Sequence, residues 1–233
     1  MNKTLAASAA AAAFALVGAL LSPAATAAPV AHAAALTAVP TTVTAKVDVD
    51  GDGRKDRVKV AKTGSSKYKV TVKTAKGRTA SKTITSTAAA NWGMHPFWGS
   101  ARLDKRKGSE LLLATGGGDG LSSVVLTWRN NKLVRQAAPR HRSYSAAYKY
   151  RWYTAGMTWA NAGYRFYTKN GKRYVQNYWI EQVTGSTKWR ADIVTSKWTK
   201  KGWTRVSSKK VRLTATQAKK YPGGFTGVKI VSP

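Results

Sequence analysis

The stretch KYKVTVKT, residues 67–74, alternates without a break. Tyr68, Val70 and Val72 fall on one side, and Lys67, Lys69, Thr71 and Lys73 on the other. A period of two is the mark of a strand with one face in a core and one in water. Ala75, Lys76 and Gly77 then read as a turn, and residues 78–85 return as a second strand. The same layout recurs downstream. Residues 124–128 and 132–135 flank Arg129-Asn130-Asn131. Residues 164–167 and 173–181 flank Lys169-Asn170-Gly171-Lys172, and Asn-Gly is the strongest short hairpin signal. Residues 189–198 and 203–206 flank Lys200-Lys201-Gly202. Only residues 214–220 suggest a helix, with Thr214 as its cap. The expected fold is all-β: antiparallel hairpin repeats forming a partial β-propeller-like or sandwich domain.

The N-terminus reads differently. Lys3 gives a short positive start, residues 5–21 are uncharged and apolar, Pro23 breaks the run, and Ala25-Thr26-Ala27 offers a small-x-small cleavage site. This is the layout of a secretory signal peptide, and the run is short for a membrane span. The expected organisation is a signal peptide over 1–27, a flexible leader over 28–42, and one all-β domain over 43–233. The expected location is extracellular. There is no cysteine, so disulfides do not hold the fold. About 200 residues suffice to bury roughly 70% of the unfolded surface in a core.

The chain has 40 Lys and Arg against 9 Asp and Glu, a net charge of +31. Such a field recruits polyanions. Outside a cell these are anionic cell-wall polymers, acidic polysaccharides, phospholipid headgroups and nucleic acid. Fifteen of the 23 aromatic residues lie between 144 and 203. Some must be core. Tyr148, Tyr150 and Trp152 alternate with Lys149 and Arg151, so one face is expected apolar and the other basic.

Against this charge, AKVDVDGDGRKDRVKV (residues 45–60) packs four acids into nine positions. Asp48, Asp50, Asp52 and Asp56 stand at positions 1, 3, 5 and 9, with Gly51 and Gly53 at 4 and 6. Calcium takes six to eight oxygens, and alternate side chains in a tight loop converge on one centre. An EF-hand needs an acid at position 12 and flanking helices; position 12 here is Lys59, and a strand follows. The pattern DxDxDGxxD leading straight into a strand resembles the FG-GAP (VCBS-type) calcium loops of integrin-like β-propellers. That resemblance implies calcium, ligated by the side chains of Asp48, Asp50, Asp52 and Asp56 and by the carbonyl of Arg54. It also implies a small secreted repeat protein.

A fainter repeat runs through the chain. VDGDGRKDRVKV (49–60) aligns with LDKRKGSELLLA (103–114), so that Asp50 falls on Asp104 and Asp56 on Glu110 at an offset of 54. Lys105, Arg106 and Lys107 replace the first loop's Gly-Asp-Gly, so the second loop is not expected to hold calcium. Units are expected near 46–100, 101–158 and 159–213. Two or three units are too few for a closed ring.

Catalytic signatures are sparse. His32, His95 and His141 have no partner at metal-ligand spacing, no G-x-S-x-G elbow occurs, and TGGGDG (115–120) lacks the ending of a phosphate loop. Glu181 and Asp192 could face each other across two strands, as a glycan hydrolase requires, although a salt bridge suits them better. The reading is therefore a calcium-stabilised binding module, not an enzyme, for anionic cell-wall or carbohydrate surfaces. The alternatives are a cationic protein on nucleic acid or membranes, and a secreted glycan hydrolase.

Overall fold

The computed structural model describes residues 38–140 and 148–233. The segments expected to be a signal peptide (1–27) and most of a leader (28–42), together with His141, lie outside the described residues.

Alternation builds the first sheet. β1 (Thr42–Val47), β2 (Asp56–Lys62), β3 (Lys67–Lys73) and β4 (Thr79–Thr85) form an antiparallel meander in chain order. Val47, Val58, Val60, Tyr68, Val70, Val72 and Ile84 make its buried face. After a five-residue helix, α1 (Ala88–Trp92), which shows no helical period in the sequence, the pattern restarts. β5 (Phe97–Ala101), β6 (Glu110–Gly116), β7 (Leu121–Arg129) and β8 (Lys132–Arg135) again pair antiparallel in order.

β6 and β7 read as nearly unbroken apolar runs because both of their faces are covered. Leu111, Leu113, Val124 and Leu126 pack against the first sheet. Leu112 and Val125 point the other way, onto Trp152, Tyr164, Phe166 and Val175.

Those last residues belong to the C-terminal part. β9 (Trp152–Gly156) pairs with the start of β7, at Leu121 to Ser123, beyond the stretch that β8 occupies. β10 (Ala160–Lys169), β11 (Lys172–Gln182), β12 (Trp189–Thr199) and β13 (Gly202–Leu213) continue the sheet as a meander. At the β10–β11 turn Asn170 and Gly171 both have positive φ, as a two-residue primed turn requires. α2 (Ala215–Ala218) has Thr214 as N-cap in a capping box with Gln217. It covers Tyr178, Ile180, Ala191 and Ile193. β14 (Gly224–Thr226) returns parallel to β10, and Phe225 stacks among Trp98, Trp152 and Phe166. Among the described residues the fold is thus all-β and antiparallel but for β14, in two sheets and with no closed barrel.

One expectation fails. Tyr148, Tyr150 and Trp152 do not share a face. Tyr148 and Tyr150 are exposed in a turn, and the strand begins only at Trp152, which is fully buried.

Candidate functional site

The acidic loop joins β1 to β2, at the end of the first sheet. Its carboxylates first serve the backbone. Asp48 accepts hydrogen bonds from the N–H groups of Gly51 (2.7 Å) and Gly53 (3.1 Å). Asp50 Oδ1 accepts from Asp52 N–H at 3.2 Å. Asp56, 1% exposed, accepts from Val49 (2.8 Å), Asp50 (3.4 Å) and Ala75 (2.8 Å). In this arrangement Asp48, Asp50 and Asp56 each bring an oxygen within 4.8 Å of the others.

Asp52, expected as a fourth ligand, does not join them. It accepts from the Arg54 backbone N–H (2.9 Å) and guanidinium, and Lys76 Nζ lies at 3.3 Å. The Arg54 backbone N–H is the largest influence holding its carboxyl below the ordinary value, helped by the two cations. Arg54 is turned toward Asp52 as well, and the guanidinium of Arg102 stands 3.9 Å from Asp48.

The second loop, joining β5 to β6, repeats this geometry at the 54-residue offset. Leu103 N–H donates to Glu110 at 2.8 Å, as Val49 does to Asp56. Arg106 N–H donates to Asp104 at 2.6 Å, as Asp52 does to Asp50. β2 and β6 begin on the equivalent acids, Asp56 and Glu110. The two loops also touch. Ser109 N–H donates to the Asp48 carbonyl, and Gly51 and Gly108 sit back to back at positive φ. A Cβ on Gly108 would stand 2.3 Å from the Val49 carbonyl oxygen, which admits only glycine there.

The second loop carries its own cation. Arg129, at the end of β7, places Nη2 at 2.7 Å from Asp104 and 3.7 Å from Glu110. Its counterpart 54 residues earlier is Ala75. One guanidinium does not balance two buried carboxylates. Burial, and then the charge of Asp104, push Glu110 up to about 8. Burial also raises Asp104, although the Arg106 backbone N–H and Arg129 oppose it.

This makes stability pH-dependent in a defined sense. With a folded value above the unfolded one, Glu110 stabilises fully at low pH. It loses that contribution as pH rises from the unfolded value near 4.5 through about 8. Glu110→Gln is expected to flatten this slope, so that urea midpoints at about pH 5 and about pH 9 converge relative to wild type. An unchanged slope would show that Glu110 is ionised throughout.

A groove of about 910 Å³ opens at the far end of the chain, on the last three strands of the meander. The register places two cross-strand rows there: Glu181–Arg190–Arg212 and Trp179–Asp192–Lys210. Beside them stands a column of flat groups. The Arg151 guanidinium lies over the Tyr148 ring (5.2 Å) and the Tyr153 ring (5.4 Å), and Tyr153 stacks on Trp179 at 6.3 Å and 28°. Arg151 is fixed by its hydrogen bond to Ser122 (2.7 Å).

Glu181 accepts from the Trp179 indole N–H at 3.0 Å and from Arg190. Burial pushes its carboxyl up, but the indole and Arg190 outweigh that and hold it below its ordinary value. An ionised, doubly engaged carboxylate suits an acceptor rather than a proton donor. Glu181 and Asp192 thus line one groove, one strand apart, as their spacing suggests. The aromatic and basic residues around them had no signal in the sequence beyond their abundance.

No family model, curated protein or solved structure matches this chain.

His95 belongs to the core. It is 9% exposed, packs edge-on to Tyr68, and accepts from Phe97 N–H, and burial holds its imidazole below the ordinary value.

Proposed function

We propose that this chain is a secreted, calcium-stabilised β-repeat module of FG-GAP type that binds anionic or carbohydrate surfaces of a cell without catalysis. The observation that carries the binding role is the outer face of the first sheet. Lys46, Arg57, Lys59, Lys67, Lys69 and Lys73 are all exposed on it, and no carboxylate stands among them. Lys46, Arg57 and Lys73 form one cross-strand row, each beside the next. Like charges directly opposite destabilise a sheet. Arg57, Lys59, Lys67, Lys69 and Lys73 lie on the central strands β2 and β3, so these five do not protect an edge. Neighbouring strands lie about 4.8 Å apart and same-face residues about 6.8 Å apart along a strand, which makes the face a flat cationic grid. A polyanion lying across it relieves the repulsion.

Calcium supports the same reading through the loop at one end of that sheet. Asp48, Asp50 and Asp56 converge closely enough to ligate one ion, with the Arg54 carbonyl as the next ligand in the pattern. Asp52 would have to leave Arg54 and Lys76 to contribute.

Both parts are tested by sedimentation with purified cell wall and by thermal melts. Arg57→Gln/Lys73→Gln is expected to cut retention at low salt at least tenfold and to lower the slope of log affinity against log salt. Unchanged retention overturns the binding role of this face. Asp50→Asn keeps the acceptor for Asp52 N–H but removes a charge. It should abolish a calcium-induced rise in melting temperature and leave the melt in chelator unchanged. Absence of any calcium effect on the wild-type chain overturns the metal.

A further inference from the structure

The groove on β11–β13 differs in kind from the grid on the first sheet. The grid is flat and wholly cationic. The groove is concave, and mixes two carboxylates, four cations and an aromatic wall. Its volume of about 910 Å³ lies in the range of roughly 300–1,000 Å³ of small-ligand sites. From this composition we infer a specific site for a short acidic oligosaccharide, whose sugar rings carry carboxylates. The inference rests on the proposed binding of anionic polymers and supplies the specificity that a flat grid lacks.

Each part of the groove matches a part of such a ligand. Sugar rings present a hydrocarbon face and a rim of hydroxyls. The Tyr148–Arg151–Tyr153–Trp179 column offers flat surface for the hydrocarbon face, and Tyr148 keeps 42% of its surface exposed. The column is preorganised, since Arg151 is locked to Ser122 and Trp179 to Glu181. Glu181 and Asp192 are acceptors for hydroxyl donors, which phosphate oxygens do not supply.

Lys210 and Arg212 stand next in the two rows, beyond Asp192 and Arg190, both exposed on β13. β13 ends the path of the sheet, so these exposed cations lie where a carboxylate enters from that side. The charge balance of the groove is two negative groups to four positive, counting Arg151 and Arg190. A ligand with isolated negative charges and many hydroxyls complements it. The continuous phosphates of a nucleic acid would meet Glu181 and Asp192 with like charge.

The test uses calorimetric titration of the full chain with trigalacturonate, its neutral counterpart trigalactose, and a thymidine tetranucleotide. Trigalacturonate should bind, and tighter than trigalactose. Lys210→Ala/Arg212→Ala, exposed and away from the core, should weaken trigalacturonate at least tenfold and leave trigalactose unchanged. Trp179→Ala should weaken both sugars, and Trp179→Phe should restore most of the loss.

Absence of trigalacturonate binding, indifference to both changes, or tighter binding of the tetranucleotide would each overturn the assignment. The grid variant Arg57→Gln/Lys73→Gln separates the two readings. It should leave trigalacturonate affinity intact while reducing retention on the polymer. If the polymer ignores the grid variant but the trisaccharide needs Trp179 and Lys210, the grid fails and the groove stands.

Discussion

Asp56→Ala is expected to destabilise the protein by at least about 3 kcal/mol in chelator as well as in calcium. The reason is a count of donors. The buried Asp56 carboxylate accepts from Val49, Asp50 and Ala75. Alanine would strand these backbone N–H groups, and a buried donor without a partner costs roughly 1–3 kcal/mol. The three bonds also join separate pieces of chain: the loop, the start of β2 and the turn after β3. Asp56→Asn tests the chemistry more finely. Its amide keeps one carbonyl acceptor but presents an NH₂ toward an N–H, so about half the loss should remain. Chemical denaturation of the three chains with calcium and with chelator measures this. A loss seen only with calcium would mean that the metal, not the backbone, engages Asp56. Asp56 would serve the backbone whether or not an ion binds, and for that reason Asp50 is the better residue with which to test the proposed metal.

How much of this was open to reading from the sequence depended on whether the interaction was local. The strands were legible wherever one face meets water, as in β3, where Lys and Val alternate. The hairpins were legible from Asn170-Gly171 and its analogues. α1 was not, because five residues are too few to show a period. The shared hydrogen bonding of the two loops was legible from two acids, Asp104 and Glu110, because the backbone N–H groups of residues 49 and 103 take equivalent acceptors. The loop was only partly legible. Spacing brings four aspartates near one centre, but Asp52 is drawn off by Arg54, two residues away, and by Lys76 from the next turn. The first of these competitors stands inside the motif itself, and the second comes from the turn after β3. The groove was closed to sequence reasoning. Trp179, Arg190, Lys210 and Arg212 meet through the register of three strands, and that register shifts at a bulge between Thr195 and Ser196. Tyr148, Tyr150 and Trp152 misled for a related reason: alternation has meaning only inside a strand, and the first two lie in a turn.

Arg129→Met is expected to cost about 3–5 kcal/mol, measured by urea denaturation at neutral pH. Asp104 is salt-bridged to Arg129 at 2.7 Å with its side chain wholly buried, and Glu110 is 1% exposed beside it. Removing the guanidinium takes away the one cation among the described residues within salt-bridge distance of the buried Asp104 and leaves that carboxylate beside the buried Glu110 carboxyl, with Arg106 and Arg173 acting only from farther off. The triple change Asp104→Asn/Glu110→Gln/Arg129→Met should regain most of the loss, since a buried ionic cluster replaced as a whole is often close to neutral. A single-variant cost below about 1 kcal/mol would mean that the pair simply takes up protons and that Arg129 is incidental. The comparison bears on the first loop. There the equivalent position is Ala75, which supplies a backbone N–H and no charge. Arg102 and Lys76 approach only Asp48 and Asp52, on the outer side. Two loops of similar geometry are therefore neutralised differently: the second by Arg129, the first by Arg54, Lys76 and Arg102 from outside three converging carboxylates, the group proposed above to hold calcium. Ala75→Arg should then stabilise the chain in chelator, and under the proposed calcium role it should abolish any calcium-induced rise in melting temperature.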